Sequence, residues 1–92
     1  MATGVSQIGP LVVAMPGGQQ PGATQTWFFD FGGSMRAISF TVDAFSVNSV
    51  LGVDNIRHQL LAGGVHRVLV DVINVGSVAT NYGITAGLIH PV

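Results

Sequence analysis

The chain has 92 residues, of which 48% are hydrophobic and 8% charged, with a mean hydropathy of +0.56 and a formal net charge of −1. This length leaves room for one hydrophobic core, so we expect a single domain over residues 1–92. The three arginines are scattered and lysine is absent, which argues against a nucleic-acid partner, and the lack of cysteine excludes disulfide and thiolate chemistry.

Three features of the sequence bear on where the protein is located: its apolar runs, its N-terminal segment and its low charge. The longest apolar runs, Leu11–Met15 and Val68–Val70, are far shorter than the about 20 residues of a membrane-spanning helix, so no membrane span is expected. The segment Met1–Gly4 lacks the charged and apolar regions of a secretory signal, so export would use a removed signal or another route. A surface so poor in charge is typical of coat components and of secreted β domains, and we expect an extracellular, cell-surface or virion location.

Apolar and polar residues alternate with period two in most segments, which predicts strands. The first predicted strand is apolar on both parities. The second places three aromatic residues on one face, and the third alternates most cleanly. In chain order these strands are Ile8–Met15, Gln25–Phe31 and Arg36–Asp43.

Three further segments complete the pattern: Asp54–Leu61, Val65–Asn74 and Thr80–His90. The first of them also fits one or two helical turns, but the nearby glycines leave too few residues for an average helix, and a strand is favoured. Together the strands predict one core, made of Ile38, Phe40, Val42, Val68, Val70, Val72, Ile84 and Leu88.

Six or seven short strands without a convincing amphipathic helix predict an all-β fold, a small antiparallel β-sandwich in preference to a barrel. The stretch from Arg67 to Gly76, followed by the strand at Tyr82, resembles the penultimate hairpin of immunoglobulin-like and fibronectin-like modules. The resemblance implies a hairpin in a sandwich of that kind and transfers no function. A jelly-roll-like sandwich is the alternative.

Enzymatic chemistry has little support in the sequence. Without cysteine, lysine or glutamate, and without a Gly-x-Ser-x-Gly elbow, the common nucleophile and acid-base arrangements are missing, so we expect no enzyme and no cofactor. His58 and His66 flank a Gly-Gly turn, but their spacing is not a zinc signature. Asp54 and Asn55 lack the ladder of carboxylates that calcium loops carry, and no metal site is predicted.

A carbohydrate site is the second hypothesis for function. Trp27 and Tyr82 could stack on a sugar ring, with Asp30, Asn55 and Asn81 as hydrogen-bonding groups. Trp27 shares parity with other aromatic residues, which favours a core role. A sugar-binding domain would expose one of the two aromatics beside clustered Asn and Asp, whereas a purely structural domain would bury both.

The leading hypothesis is a non-catalytic structural module that self-assembles into a homo-oligomer, a filament or a particle coat. If the valines of Val65–Asn74 fill the core, the pleat directs the alternate residues outward. We therefore predict an interface made of Arg67, Leu69, Asp71 and Ile73, joined by Leu11 and Val13 of the first strand. The lectin-like module remains the alternative.

Overall fold

The structure, a computed structural model, describes residues 3–31 and 36–91, with side chains described over 9–31 and 39–88. Six strands lie in this part of the chain, and a short 3-10 turn, Ala62–Gly64, joins the fourth to the fifth. The strands are β1 (Thr3–Val13), β2 (Thr24–Phe31), β3 (Arg36–Ala44), β4 (Leu51–Leu60), β5 (His66–Asn74) and β6 (Tyr82–Pro91). The predicted all-β class is confirmed, and the ambiguous fourth segment is a strand.

The strands form two antiparallel sheets of three, with β1-β6-β3 as the first sheet and β2-β5-β4 as the second. The pairing is nested, because β1 pairs with β6, β2 pairs with β5, and β3 and β4 are the innermost consecutive strands. Two three-stranded antiparallel sheets of this kind form a small β-sandwich. The sandwich expected from the sequence is therefore present.

The hairpin implied by the resemblance to immunoglobulin-like modules is not formed. Strands β5 and β6 lie in opposite sheets, and seven residues connect them. Within this connection the side-chain oxygen of Asn74 accepts a hydrogen bond from the amide of Gly76, and Thr80 bridges to Gln19. The turn at Asn74 thus begins a crossing between sheets, which lie about 10 Å apart in sandwiches.

The core lies between the two central strands, β5 and β6, because each is flanked by a strand on both sides. Its fully buried side chains include Val68, Val70, Val72, Ile84 and Leu88, as the alternation predicted. Phe40 and Val42 of β3 are half-buried and pack against this core, and the Phe40 ring lies 5.3 Å from that of Phe29. The side chain of Ile38, also predicted for the core, lies outside the described residues. Each buried aliphatic side chain stabilises the fold by about 1.5–3 kcal/mol.

No helix in the described residues is both long and apolar enough to cross a lipid bilayer.

Candidate functional site

The outer face of the second sheet carries most of the described charged side chains. On this face the cross-strand pairs of β2 and β5 are Thr24 with Ile73, Thr26 with Asp71, Phe28 with Leu69 and Asp30 with Arg67. The alternate residues of β5, Val68, Val70 and Val72, point to the inner face and are buried. The orientation of β5 is therefore the one that its alternation predicted. This surface is called the outer face below.

One ion pair spans β2 and β5 near one end of the outer face. The guanidinium of Arg67 donates from Nε and Nη2 to the two carboxylate oxygens of Asp30, at 2.8 and 3.0 Å. The hydrogen bond from Arg67 holds the pKa of Asp30 below its usual value. The guanidinium carbon also lies 4.2 Å from the centre of the Phe28 ring, in a cation–π contact.

A second charged cluster is centred on Asp71. Its carboxylate accepts hydrogen bonds from the Thr26 hydroxyl at 2.7 Å, from the Asn55 amide at 3.2 Å and from Arg57 at 3.0 Å. The hydrogen bonds from Thr26 and Asn55, followed by the charge of Arg57, lower the pKa of Asp71. With 15% of its side chain exposed, Asp71 is the best covered of the four ion-paired groups.

Phe28 and Leu69 lie between these two clusters, and Ile73 lies on the far side of Asp71. Phe28 is 56% exposed, while Leu69 and Ile73 are half-buried on the same face. The sequence pointed to Leu69 and Ile73 as the exposed apolar groups, but both side chains are half-buried. Among the paired residues of β2 and β5 on the outer face, the most exposed apolar group is therefore Phe28, whose outward parity is visible in the sequence.

The two residues predicted for the interface on β1 have different environments. Leu11 is exposed, whereas Val13 is buried in the core beside Tyr82, its cross-strand partner. Val13 is thus unavailable to a partner, and Val12 is the more exposed neighbour of Leu11. The sequence could not separate Leu11 from Val13, because the two residues share the same parity and face the same way along β1.

The five residues predicted for ligand binding do not come together. Tyr82 is fully buried, and Trp27 is half-buried with its indole N–H donating to the Tyr82 hydroxyl at 2.8 Å. Burial raises the pKa of Tyr82, and the hydrogen bond from Trp27 opposes this rise. Asn81 accepts a hydrogen bond from the amide of Met15, while Asp30 and Asn55 belong to the ion-pair clusters above.

The two histidines beside the Gly-Gly turn lie on neighbouring strands without facing each other. His58 is opposite Val68, and His66 is opposite Leu60. Among the described residues, no group of three potential ligands is close enough to hold a metal ion.

A cavity of about 350 Å³ lies beside the segment that connects β1 to β2, which sequence reasoning missed. Its lining includes Met15 and the amide side chains of Gln19, Gln20 and Gln25. Gln19 is buried and donates to the carbonyls of Ala23 and Val72, yet its Oε1 has no partner among the described residues. Gln25 accepts from the Tyr82 hydroxyl at 3.0 Å. Isolated glutamines in a Gly-rich turn give no sequence signal for such a cavity.

Comparison of the chain with protein-family models, with curated proteins and with solved structures finds no match.

Proposed function

We propose that this protein is a non-catalytic structural module that associates with identical copies through the outer face of the second sheet. One observation carries the proposal: four of the five charged side chains described on this face pair with each other, Asp30 with Arg67 and Asp71 with Arg57, and the Phe28 ring is exposed between the two pairs. Such a module would suit an extracellular fibre, a cell-surface layer or a virion.

The pairing of charges within the face lowers the cost of covering it. A lone charge that loses water needs a new partner, whereas a hydrogen-bonded ion pair already has one and loses less solvation. Covering the exposed part of the Phe28 ring would stabilise the contact by about 25 cal/mol per Å² of apolar surface, before the entropy of association is subtracted. Charge repulsion opposes contact weakly, because the net charge of the chain is −1.

The experiment compares two phenylalanines of equal exposure. Phe28 and Phe45 are each 56% exposed, but Phe45 follows β3 and lies against Gly83 of the first sheet. Light scattering of the wild-type protein should show a multiple of the 9.5 kDa chain mass. Phe28→Thr should lower that mass, since threonine suits a strand but removes the ring. Phe45→Thr should not.

Two results would contradict the proposal. A wild-type protein that is monomeric at high micromolar concentration does not self-associate. A wild-type oligomer that loses mass with Phe45→Thr and keeps it with Phe28→Thr uses the first sheet instead.

The cavity beside the β1–β2 connection favours a second candidate, binding of a small neutral sugar. Its amide groups can both donate to and accept from hydroxyls, and its volume falls at the low end of ligand sites, about 300–1,000 Å³. Burial of Tyr82 removes one of the two stacking residues that the sequence suggested. NMR titration with monosaccharides should shift the amide signals of Gln20 and Gln25 if this candidate is correct, and no shift at millimolar sugar would rule it out.

A further inference from the structure

The edge strand β4 is exposed over seven of its ten residues. Among the described strands it pairs only with β5, and every residue from Asp54 to Leu60 is exposed, with Leu60 at 68%. An edge of this kind presents unpaired backbone N–H and C=O groups that another strand can bind. Which strand fits depends on the side chains and on the regularity of the edge.

A bulge interrupts β4 at its centre. Asp54 is opposite Asp71 and Arg57 is opposite Leu69, so one extra residue of β4 is inserted between them, and Asn55 has a left-handed φ of 54°. In a regular strand, residues 54 and 57 would point to opposite faces. Here Asp54 and Arg57 both lie on the outer face.

The bulge makes the face pattern of β4 symmetric about its centre. Val53 is opposite Val72, and His58 is opposite Val68, so both lie in inward-facing rows. Reading outward from the bulge in either direction gives an outer-face residue and then an inner-face residue. An inverted second copy of β4 therefore matches the first, face for face.

We propose that a second copy of this chain pairs antiparallel with β4 around a two-fold axis at the bulge, placing Asp54 of each copy opposite Arg57 of the other. The inference rests on the proposed self-association and adds an edge contact to the face contact. The result is a continuous sheet of six strands, β2-β5-β4 followed by its inverted copy. The interface is isologous, so each favourable pair occurs twice.

Charge supports this register. Asp54 faces the like-charged Asp71 across the sheet, and among the described side chains it has no cationic partner. Like charges directly opposite each other are destabilising, and opposite charges are favourable. Arg57 donates to Asp71 of its own chain through Nη2, so in the proposed pair one guanidinium serves both Asp71 and Asp54 of the second copy.

The same bulge makes the edge selective. A bulge on an edge strand hinders pairing with a regular strand, because the facing residues lose their match beyond it. Another copy of β4 carries the bulge at the same position and keeps the match on both sides. The bulge therefore disfavours aggregation through regular strands and favours pairing with a second copy of β4.

The absence of cysteine allows the register to be tested by disulfide trapping. Asp54→Cys and Arg57→Cys variants, mixed and oxidised, should give at least about tenfold more covalent dimer than either variant alone. Facing residues in a sheet have Cα atoms about 4.5–5.5 Å apart, within disulfide range, whereas identical positions would be displaced along the strand by about 7–10 Å. Asp43→Cys, at an exposed position of β3, mixed with Arg57→Cys is the control and should not cross-link.

A charge reversal supplies the second test, made in the Phe28→Thr background so that the face contact is weakened. We expect a dimer in this background and a twofold loss of mass on adding Asp54→Arg. The substituted arginine would meet Arg57 of the second copy, while lying opposite Asp71 in its own sheet, so the chain should still fold.

The outcomes separate the two proposals. If the wild type is an oligomer but the mixed cysteine variants do not cross-link, the edge pairing is wrong and self-association stands. The same conclusion follows if Asp54→Arg leaves the mass of the Phe28→Thr protein unchanged. A monomeric wild type overturns both.

Discussion

The indole N–H of Trp27 donates a 2.8 Å hydrogen bond to the hydroxyl of Tyr82, and this bond joins the second sheet to the first through their interior. The same hydroxyl donates to Gln25 at 3.0 Å, so one oxygen links β6 to two positions of β2. The two aromatics that the sequence offered as sugar-stacking residues thus connect the halves of the sandwich.

Tyr82→Phe tests the value of this link. The change keeps the ring but leaves the Trp27 N–H and the Gln25 carbonyl without their partner, so the free energy of unfolding should fall by about 1–3 kcal/mol. Urea denaturation measures it. In a double-mutant cycle with Trp27→Phe the two losses should not add, because both changes remove the same bond. Full additivity would show that the bond contributes nothing.

The central position of β5 gives a prediction about the core. Val70 is fully buried, and an aspartate there would place an unpaired carboxylate between the sheets at a cost of several kcal/mol. Val70→Asp should therefore abolish the cooperative thermal transition. Thr41→Asp, at an exposed position of β3, should melt within a few degrees of the wild type. A cooperatively melting Val70→Asp protein would contradict this assignment of the core.

Strand existence could be predicted here far better than strand pairing. The alternation around Val70 identifies a strand and its buried face, because a half-buried strand must alternate. It does not say which strand lies beside it, since many neighbours satisfy the same pattern. The glycine after Asn74 looked like a hairpin turn, but a turn signal is local and does not tell a hairpin from a crossing between sheets.

For the outer face, too, the sequence predicted the direction of the side chains and did not predict their contacts. The outward direction of Leu69 followed from parity alone. The contacts of Asp71 with Thr26 and Asn55 could not follow, because they depend on which strands flank β5 and on the bulge in β4. The sequence spacing of Asp54 and Arg57 does not predict that bulge.

Acid should weaken the fold through Asp30 and Asp71. The pKa of each is lowered in the folded state, so each contributes stability above its unfolded value of 3.8 and loses it as the pH falls through its folded pKa. Urea midpoints should therefore decline below about pH 4. Asp30→Asn should reduce this decline, and Arg67→Gln should reduce it similarly by removing the partner. An unchanged acid profile in both variants would show that the pair does not couple to folding.

Two glycines of the connection between β1 and β2 allow the energetic cost of backbone strain to be separated from the cost of steric overlap. Gly18 and Gly22 have nearly the same left-handed conformation, with φ of 75° and 79°. A Cβ at Gly22 would meet nothing within 4 Å, whereas a Cβ at Gly18 would lie 2.8 Å from the carbonyl carbon of Thr80. Gly22→Ala thus adds mainly the conformational cost, about 1–2 kcal/mol.

Gly18→Ala adds to the same cost an overlap with backbone that cannot rotate away. Relief would require the bridge between Gln19 and Thr80, with its hydrogen bonds of 2.8 and 3.2 Å, to separate. We expect Gly18→Ala to lower the free energy of unfolding by at least about 1–3 kcal/mol more than Gly22→Ala, the usual range for overpacking. Denaturant melts of the two single variants measure this difference directly. Equal losses would mean that the connection between β1 and β2 shifts freely, and that the contact with Thr80 does not hold it in place.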